Sequence, residues 1–154
     1  MTDPIQPHKL LRQAPPFLFV DRVVELHEDH ALCLKHITYG EPYLQGHFPG
    51  DPIVPGVLLV EMCAQTGMLL AQHRAGSQEP RLGYLAKISD FTFHRPARPG
   101  DSLAIHVTLE NTLGNYQTLK AEIVLHGSRQ RVCKGRLVVY LPSASPTPSL
   151  EEQS

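Results

Sequence analysis

His47 and Glu61 stand fourteen positions apart, the histidine in a Gly/Pro-rich run and the glutamate inside the apolar run that follows it. Neutral imidazole near pH 7 accepts a proton, and a stiff loop can hold it within hydrogen-bond reach of a reacting atom. A carboxyl set among Val57, Leu58 and Val60 suits the role of acid if those apolar neighbours raise its pKa enough to keep a proton on it. Together they form an acid/base pair built around a rigid turn. Pro55-Gly56 opens the apolar run as a helix, so the unpaired N–H groups of Gly56 and Val57 and the positive end of the helix dipole can meet negative charge developing on an oxygen. Gly56 has no Cβ to obstruct that approach.

The elements that must hold these groups are legible from the pattern. Gly46, Pro49, Gly50, Pro52, Pro55 and Gly56 leave the backbone of a long loop, Tyr39 to Pro55, few conformations. Gly56 to His73 contains no proline and is apolar on nearly every helical face, which predicts a buried helix about 27 Å long at 1.5 Å per residue. Glu61 and Gln65, four apart, share one side of it. Before the helix, His8 to Gln13 reads as a helical turn, Phe17 to Leu26 as a strand and Ala31 to Thr38 as its hairpin partner. After it, Arg81 to Phe93, Ser102 to Asn111, Gln117 to His126 and Arg131 to Tyr140 read as strands joined mostly by short turns, hence antiparallel. The expected class is α+β, a curved antiparallel sheet wrapped around one long central helix. Residues 1–10 form an N-terminal segment, 11–141 a single domain, and 142–154, rich in Ser and Pro, a disordered tail.

Composition narrows the function classes. The 154 residues, 42% hydrophobic and 19% charged, fit one domain. Fourteen Lys and Arg against 15 Asp and Glu give no electrostatic reason to expect nucleic acid or an anionic membrane as partner. Cys33, Cys63 and Cys133 are odd in number and widely spaced, so they read as buried thiols in a reducing compartment. With no leader pattern and no apolar run near the ~18 residues that span a bilayer, a soluble cytoplasmic protein is expected. The remaining histidines are scattered without ligand spacing, so neither a metal nor a cofactor is expected.

Five segments, in order, resemble the FabA/FabZ family of (3R)-hydroxyacyl-acyl carrier protein dehydratases, the FabZ branch most closely. They are Pro16 to Val23, Glu41 to Gly50, Pro55-Gly56-Val57 through Glu61 to Ala64-Gln65, Tyr84-Leu85-Ala86, and Phe93 to Asp101. A lone His-Phe-Pro-Gly is weak, but five ordered segments that keep the His-to-Glu interval are specific. The resemblance covers about residues 11 to 140. It implies the hot-dog fold, and dehydration of 3-hydroxyacyl thioesters on acyl carrier protein in fatty acid or related acyl-chain biosynthesis. It also implies a homodimer, often three dimers to a hexamer, with His47 of one chain working beside Glu61 of the other.

In that reaction His47 takes the C2 proton and Glu61 protonates the departing hydroxyl; the alternative has His47 shuttle the proton while Glu61 orients the hydroxyl or water. The resemblance further implies the Gly56 N–H as oxyanion donor and Tyr84 as a gate to the acyl tunnel, with Phe48 and Leu58 beside it. Gln65 reads as an anchor behind Glu61, and Arg95 and Arg98 as contacts for the carrier's phosphopantetheine or acidic helix. Where the family ordinarily has a His-Arg pair and an aromatic before the first-strand proline, this chain has Gln13-Ala14-Pro15, as a paralogue for a specialised acyl pathway would. Glu at 61, where the FabA branch has Asp, implies no double-bond isomerase activity. Two rivals share the scaffold: a hot-dog acyl thioesterase, which would not need His47, and a non-catalytic acyl-binding paralogue, which would need neither polar group.

Overall fold

The computed structural model describes residues 4–143; the tail expectation for 144–154 lies outside the described residues. Elements run in the order α1 (Pro7–Leu10), β1 (Arg22–Leu26), β2 (His30–His36), a short 3-10 helix (Pro42–Gln45), α2 (Gly56–Ala75), β3 (Tyr84–Phe93), β4 (Ser102–Leu113), β5 (Tyr116–Leu125) and β6 (Arg131–Tyr140). The strands form one antiparallel sheet in the order β1-β2-β4-β5-β6-β3, so β3 and β1 are its edges. This is the hot-dog arrangement: the sheet curves and α2 lies in its concave face.

Alternation explains how the sheet receives the helix. Cys33, Ile105, Ile123 and Cys133 are register partners across β2, β4, β5 and β6, and all four are fully buried. The helix answers with Met62, Cys63, Leu69 and Leu70, each equally buried. Gly67 lets the two layers close: a Cβ there would run into Leu119 Cδ1 on β5. Gly67→Val is therefore expected to cost about 1–3 kcal/mol in chemical denaturation through overpacking.

Element boundaries differ from expectation in instructive places. The first strand was expected from Phe17 but begins at Arg22, because Phe17 and Phe19 give their backbone hydrogen bonds to the side chain of Gln65 instead of to a neighbouring strand. The helix runs past His73 to Ala75 and stops at Gly76, whose φ of 63° provides a left-handed cap. The third strand was expected from Arg81 and starts at Tyr84, since the backbone N–H of Arg81 is taken by Gln72 Oε1. The expected turn at His8 to Gln13 is the shorter α1, ended by extended backbone at Leu11. The three cysteines are free and buried. Among the described residues no helix is long and apolar enough to cross a membrane.

Candidate active site

His47 is carried by a loop that is tied down at several points. Lys35, only 6% exposed near the end of β2, places its ammonium 2.8 Å from Glu41 and 3.5 Å from Asp21. Asp21 also accepts the backbone N–H of His36 at 2.7 Å. Glu41 directly precedes the 3-10 helix that delivers the chain to Gly46 and His47. Beyond the histidine, Phe48 and Asp51 exchange two backbone hydrogen bonds, and the Ile53 N–H returns to the His47 carbonyl at 2.9 Å. Val54 N–H then bonds Ala97 O at 2.8 Å, and the Arg98 guanidinium pairs with Asp51.

The ring itself is held by one directional bond, with Nδ1 of His47 2.8 Å from the Ile53 carbonyl oxygen. A carbonyl only accepts, so Nδ1 carries the hydrogen, and in the neutral ring Nε2 keeps its lone pair. The imidazole stacks on Phe48, with ring centroids 4.1 Å apart. It lines an open cleft of about 400 Å3 together with Ile53, Val54, Gly56, Leu59 and the β3 end, Phe93 to Pro96. A proton acceptor therefore shares a cleft with the N-terminus of α2, whose first N–H groups have no partner within the helix.

Glu61 sits half-buried in the second turn of α2. Burial pushes its carboxyl above the usual carboxylate range, opposed in part by the Gln65 Nε2–H, which donates to Glu61 Oε1 at 3.0 Å. Gln65 is fully buried and spends its other groups on the segment before β1, donating to Phe17 O and accepting from Phe19 N–H. A single side chain thus fixes Glu61 to the chain that covers the helix.

The fold keeps some expected site residues together and separates others. His47, Gly56 and Arg95 share one cleft, but Glu61 is not among the residues lining it. Val57 is 76% exposed at the first turn of α2, while Leu58 packs against the core. Phe48 stacks on His47 yet lines a small separate hollow with Tyr39, Leu44 and Pro49. Tyr84 lies at the opposite end of β3 from Phe93, nine residues or about 30 Å away, in a cavity with Ala75, Pro80 and Pro142. Arg98 is engaged with Asp51, whereas Arg95 has no ion pair among the described residues. A cavity of about 620 Å3 on the outer sheet face, between Glu25 and His126, contains none of these groups. Sequence reasoning missed the Lys35–Glu41–Asp21 anchor; its signal was a lysine among the apolar residues of a strand.

One of the two sheet edges, β3, exposes Tyr84, Leu85, Ile88 and Phe93, and Val57 and Phe48 are exposed as well. Unpaired strand edges carrying apolar side chains are sites for pairing with another chain.

Residues 11–136 match the model of the FabA-like domain family. The chain is 42% identical over 137 residues to an uncharacterized thioester dehydrase of Halalkalibacterium halodurans, covering 89% of this chain and 88% of the relative. It is 39% identical over 132 residues to the 3-hydroxyacyl-[acyl-carrier-protein] dehydratase FabZ of Klebsiella pneumoniae, covering 84% and 86%. Among solved structures, the dehydratase heterocomplex ApeI:P of Xenorhabdus doucetiae superposes with a TM-score of 0.79 at 22% identity, covering 91% of this chain and 93% of that one.

Proposed function

This chain belongs to the FabA-like family and is a FabZ-like hot-dog dehydratase homologue, and from that premise we propose that it eliminates water from (3R)-3-hydroxyacyl thioesters carried on acyl carrier protein, giving trans-2-enoyl thioesters. The observation that carries the reading is the state of His47: Nδ1–H is committed to Ile53 O, so Nε2 is left as the proton acceptor in a cleft at the start of α2. His47 Nε2 takes the C2 proton, the electron pair passes toward the thioester carbonyl, and the Gly56 N–H meets the charge growing on its oxygen. Loss of the C3 hydroxyl, protonated by Glu61, completes the double bond and releases water. The raised pKa of Glu61 suits it to arrive with that proton.

The acid and the base come together when two copies pair along their β3 edges, His47 of one chain facing Glu61 of its partner. Such a pairing covers the exposed apolar residues of β3 and turns the open cleft into a closed tunnel. Tyr84 then acts at the partner's site, which accounts for its distance from His47 within one chain. Arg95, uncommitted at the cleft, meets the phosphate of the carrier's prosthetic arm.

The test is to incubate the purified protein with 3-hydroxyacyl thioesters of several chain lengths on acyl carrier protein and to weigh the carrier intact. Product lighter by one water, with the thioester retained, supports dehydration. Released free acid would make the protein a thioesterase, and unchanged carrier at every chain length would make it a binding module.

A further inference from the structure

The β1–β2 hairpin, at the sheet edge opposite β3, carries a second constellation that the dehydration chemistry does not use. Glu25 lies on β1, His27 in the turn and His30 at the start of β2; one ligand atom from each lies within 4.8 Å of the others. Both Nε2 atoms face the same oxygen, Glu25 Oε2, at 3.8 Å for His27 and 3.9 Å for His30. The two rings stack with centroids 4.3 Å apart and planes 26° from parallel. The register shift between Val23 and Glu25 places the glutamate opposite Leu32, on the face that His30 shares.

A further contact selects the useful tautomer. His30 Nδ1 is 2.7 Å from Asp29 Oδ1. An ionised carboxylate only accepts. Nδ1 is therefore the protonated nitrogen, and the Nε2 lone pair of the neutral ring is directed at the Glu25 side. A carboxylate bonded to the outer nitrogen of a histidine is the arrangement that orients imidazole ligands at metal centres.

We propose that Glu25, His27 and His30 form a surface site for a divalent transition cation of the zinc type, with Asp29 as the positioning residue behind His30. Two imidazole nitrogens and one carboxylate oxygen are the donors such a cation prefers, with a water completing a tetrahedron. Tetrahedral ligation at ordinary zinc distances requires donor separations of about 3.3 Å. The observed 3.8 and 3.9 Å, with every donor pair within 4.8 Å, close to that value by side-chain rotation on an exposed hairpin. The bound ion ties β1 to β2 across the turn of the edge hairpin. The end of α2 is already fastened there, by Arg74 to the Glu28 carbonyl and by His73 3.7 Å from Glu28.

The experiment is calorimetric titration of the tag-free, chelator-stripped protein with Zn2+, with thermal unfolding followed in parallel, for wild type, His27→Ala, His30→Ala and Asp29→Asn. The expected result is one saturable site per chain well below millimolar Zn2+ and a rise in Tm on loading. Either histidine substitution should weaken binding tenfold or more, and Asp29→Asn by about tenfold. Because all three side chains are on the surface, the metal-free variants are expected to melt near the wild-type temperature. Wild-type protein that takes up no Zn2+, or both histidine variants binding as tightly as wild type, would overturn the assignment. Neither outcome bears on dehydration, which is read separately from product mass.

Discussion

His47→Ala is expected to lower kcat for dehydration about a thousandfold while leaving KM within a few-fold, because general-base catalysis of carbon deprotonation is worth roughly 10²–10⁴. The loss is chemical and not architectural. The loop keeps the paired backbone bonds of Phe48 and Asp51, the Ile53 N–H to residue 47 carbonyl bond and the Val54 to Ala97 bond, none of which involves the imidazole. His47→Asn separates the two possibilities: its amide can still donate toward Ile53 O, yet it has no nitrogen lone pair to take a proton. Equal losses in both variants, with unchanged thermal unfolding, are the expected result from steady-state kinetics on acyl carrier protein substrates. An alanine variant that keeps most of its kcat would transfer the role of base elsewhere.

Glu61→Gln is expected to be comparably inactive and yet at least as stable as wild type at neutral pH. Gln can still accept the Gln65 N–H through its amide oxygen, so the link to Phe17 and Phe19 persists. What it cannot do is carry a proton to the leaving hydroxyl. The stability effect follows from the direction of the shift. Burial raises the native carboxyl above its ordinary value, so native protein binds the Glu61 proton more tightly than unfolded protein does. The stability this confers is full below the ordinary carboxylate pKa and is lost as pH rises through the native one. Above that window wild type holds a partly buried charge and the glutamine variant does not. Melting temperatures measured from pH 4 to pH 8 should therefore show the variant gaining on wild type as pH rises. The alkaline limb of wild-type kcat/KM that belongs to Glu61 should be missing from the residual activity of the variant.

Much of this fold was legible because its patterns are local. The proline-free apolar run after Pro55 specifies a helix buried along most of its length, and Gly76 supplies its stop. The strands after it alternate and are separated by turn residues, so β6 was located to the residue. The first strand was misjudged because what competes for the backbone of Phe17 and Phe19 is a glutamine forty-six or more positions away, and no local pattern carries that information. The sheet order was equally hidden: β3 pairs with β6 across two intervening strands, a choice made by the closing of the sheet around α2.

The candidate site divides the same way. The pairing of Glu61 with Gln65 follows from helical spacing alone, and the structure has that hydrogen bond. The tautomer of His47 depends on a carbonyl six residues later folding back beneath the ring, which only the loop's closure reveals. Arg98 was expected as a carrier contact, and its pairing with Asp51 on the exposed loop is a contact between chain segments that no local pattern signals. Tyr84 and His47 belong to one expected tunnel and yet stand at opposite ends of β3 in the single chain. That separation is the strongest support for a site shared between two copies.

Complementation decides whether the acid/base pair is shared between chains. His47→Ala and Glu61→Ala chains are unfolded together in equal amounts, refolded, checked by native mass spectrometry for mixed dimers, and assayed for dehydration. If the pair is shared, each mixed dimer has one site with both groups intact and one with neither, so random reassortment restores about a quarter of wild-type activity. Mixed dimers no more active than either parent would contradict the account, placing His47 and Glu61 in the service of one chain's own site or of separate tasks.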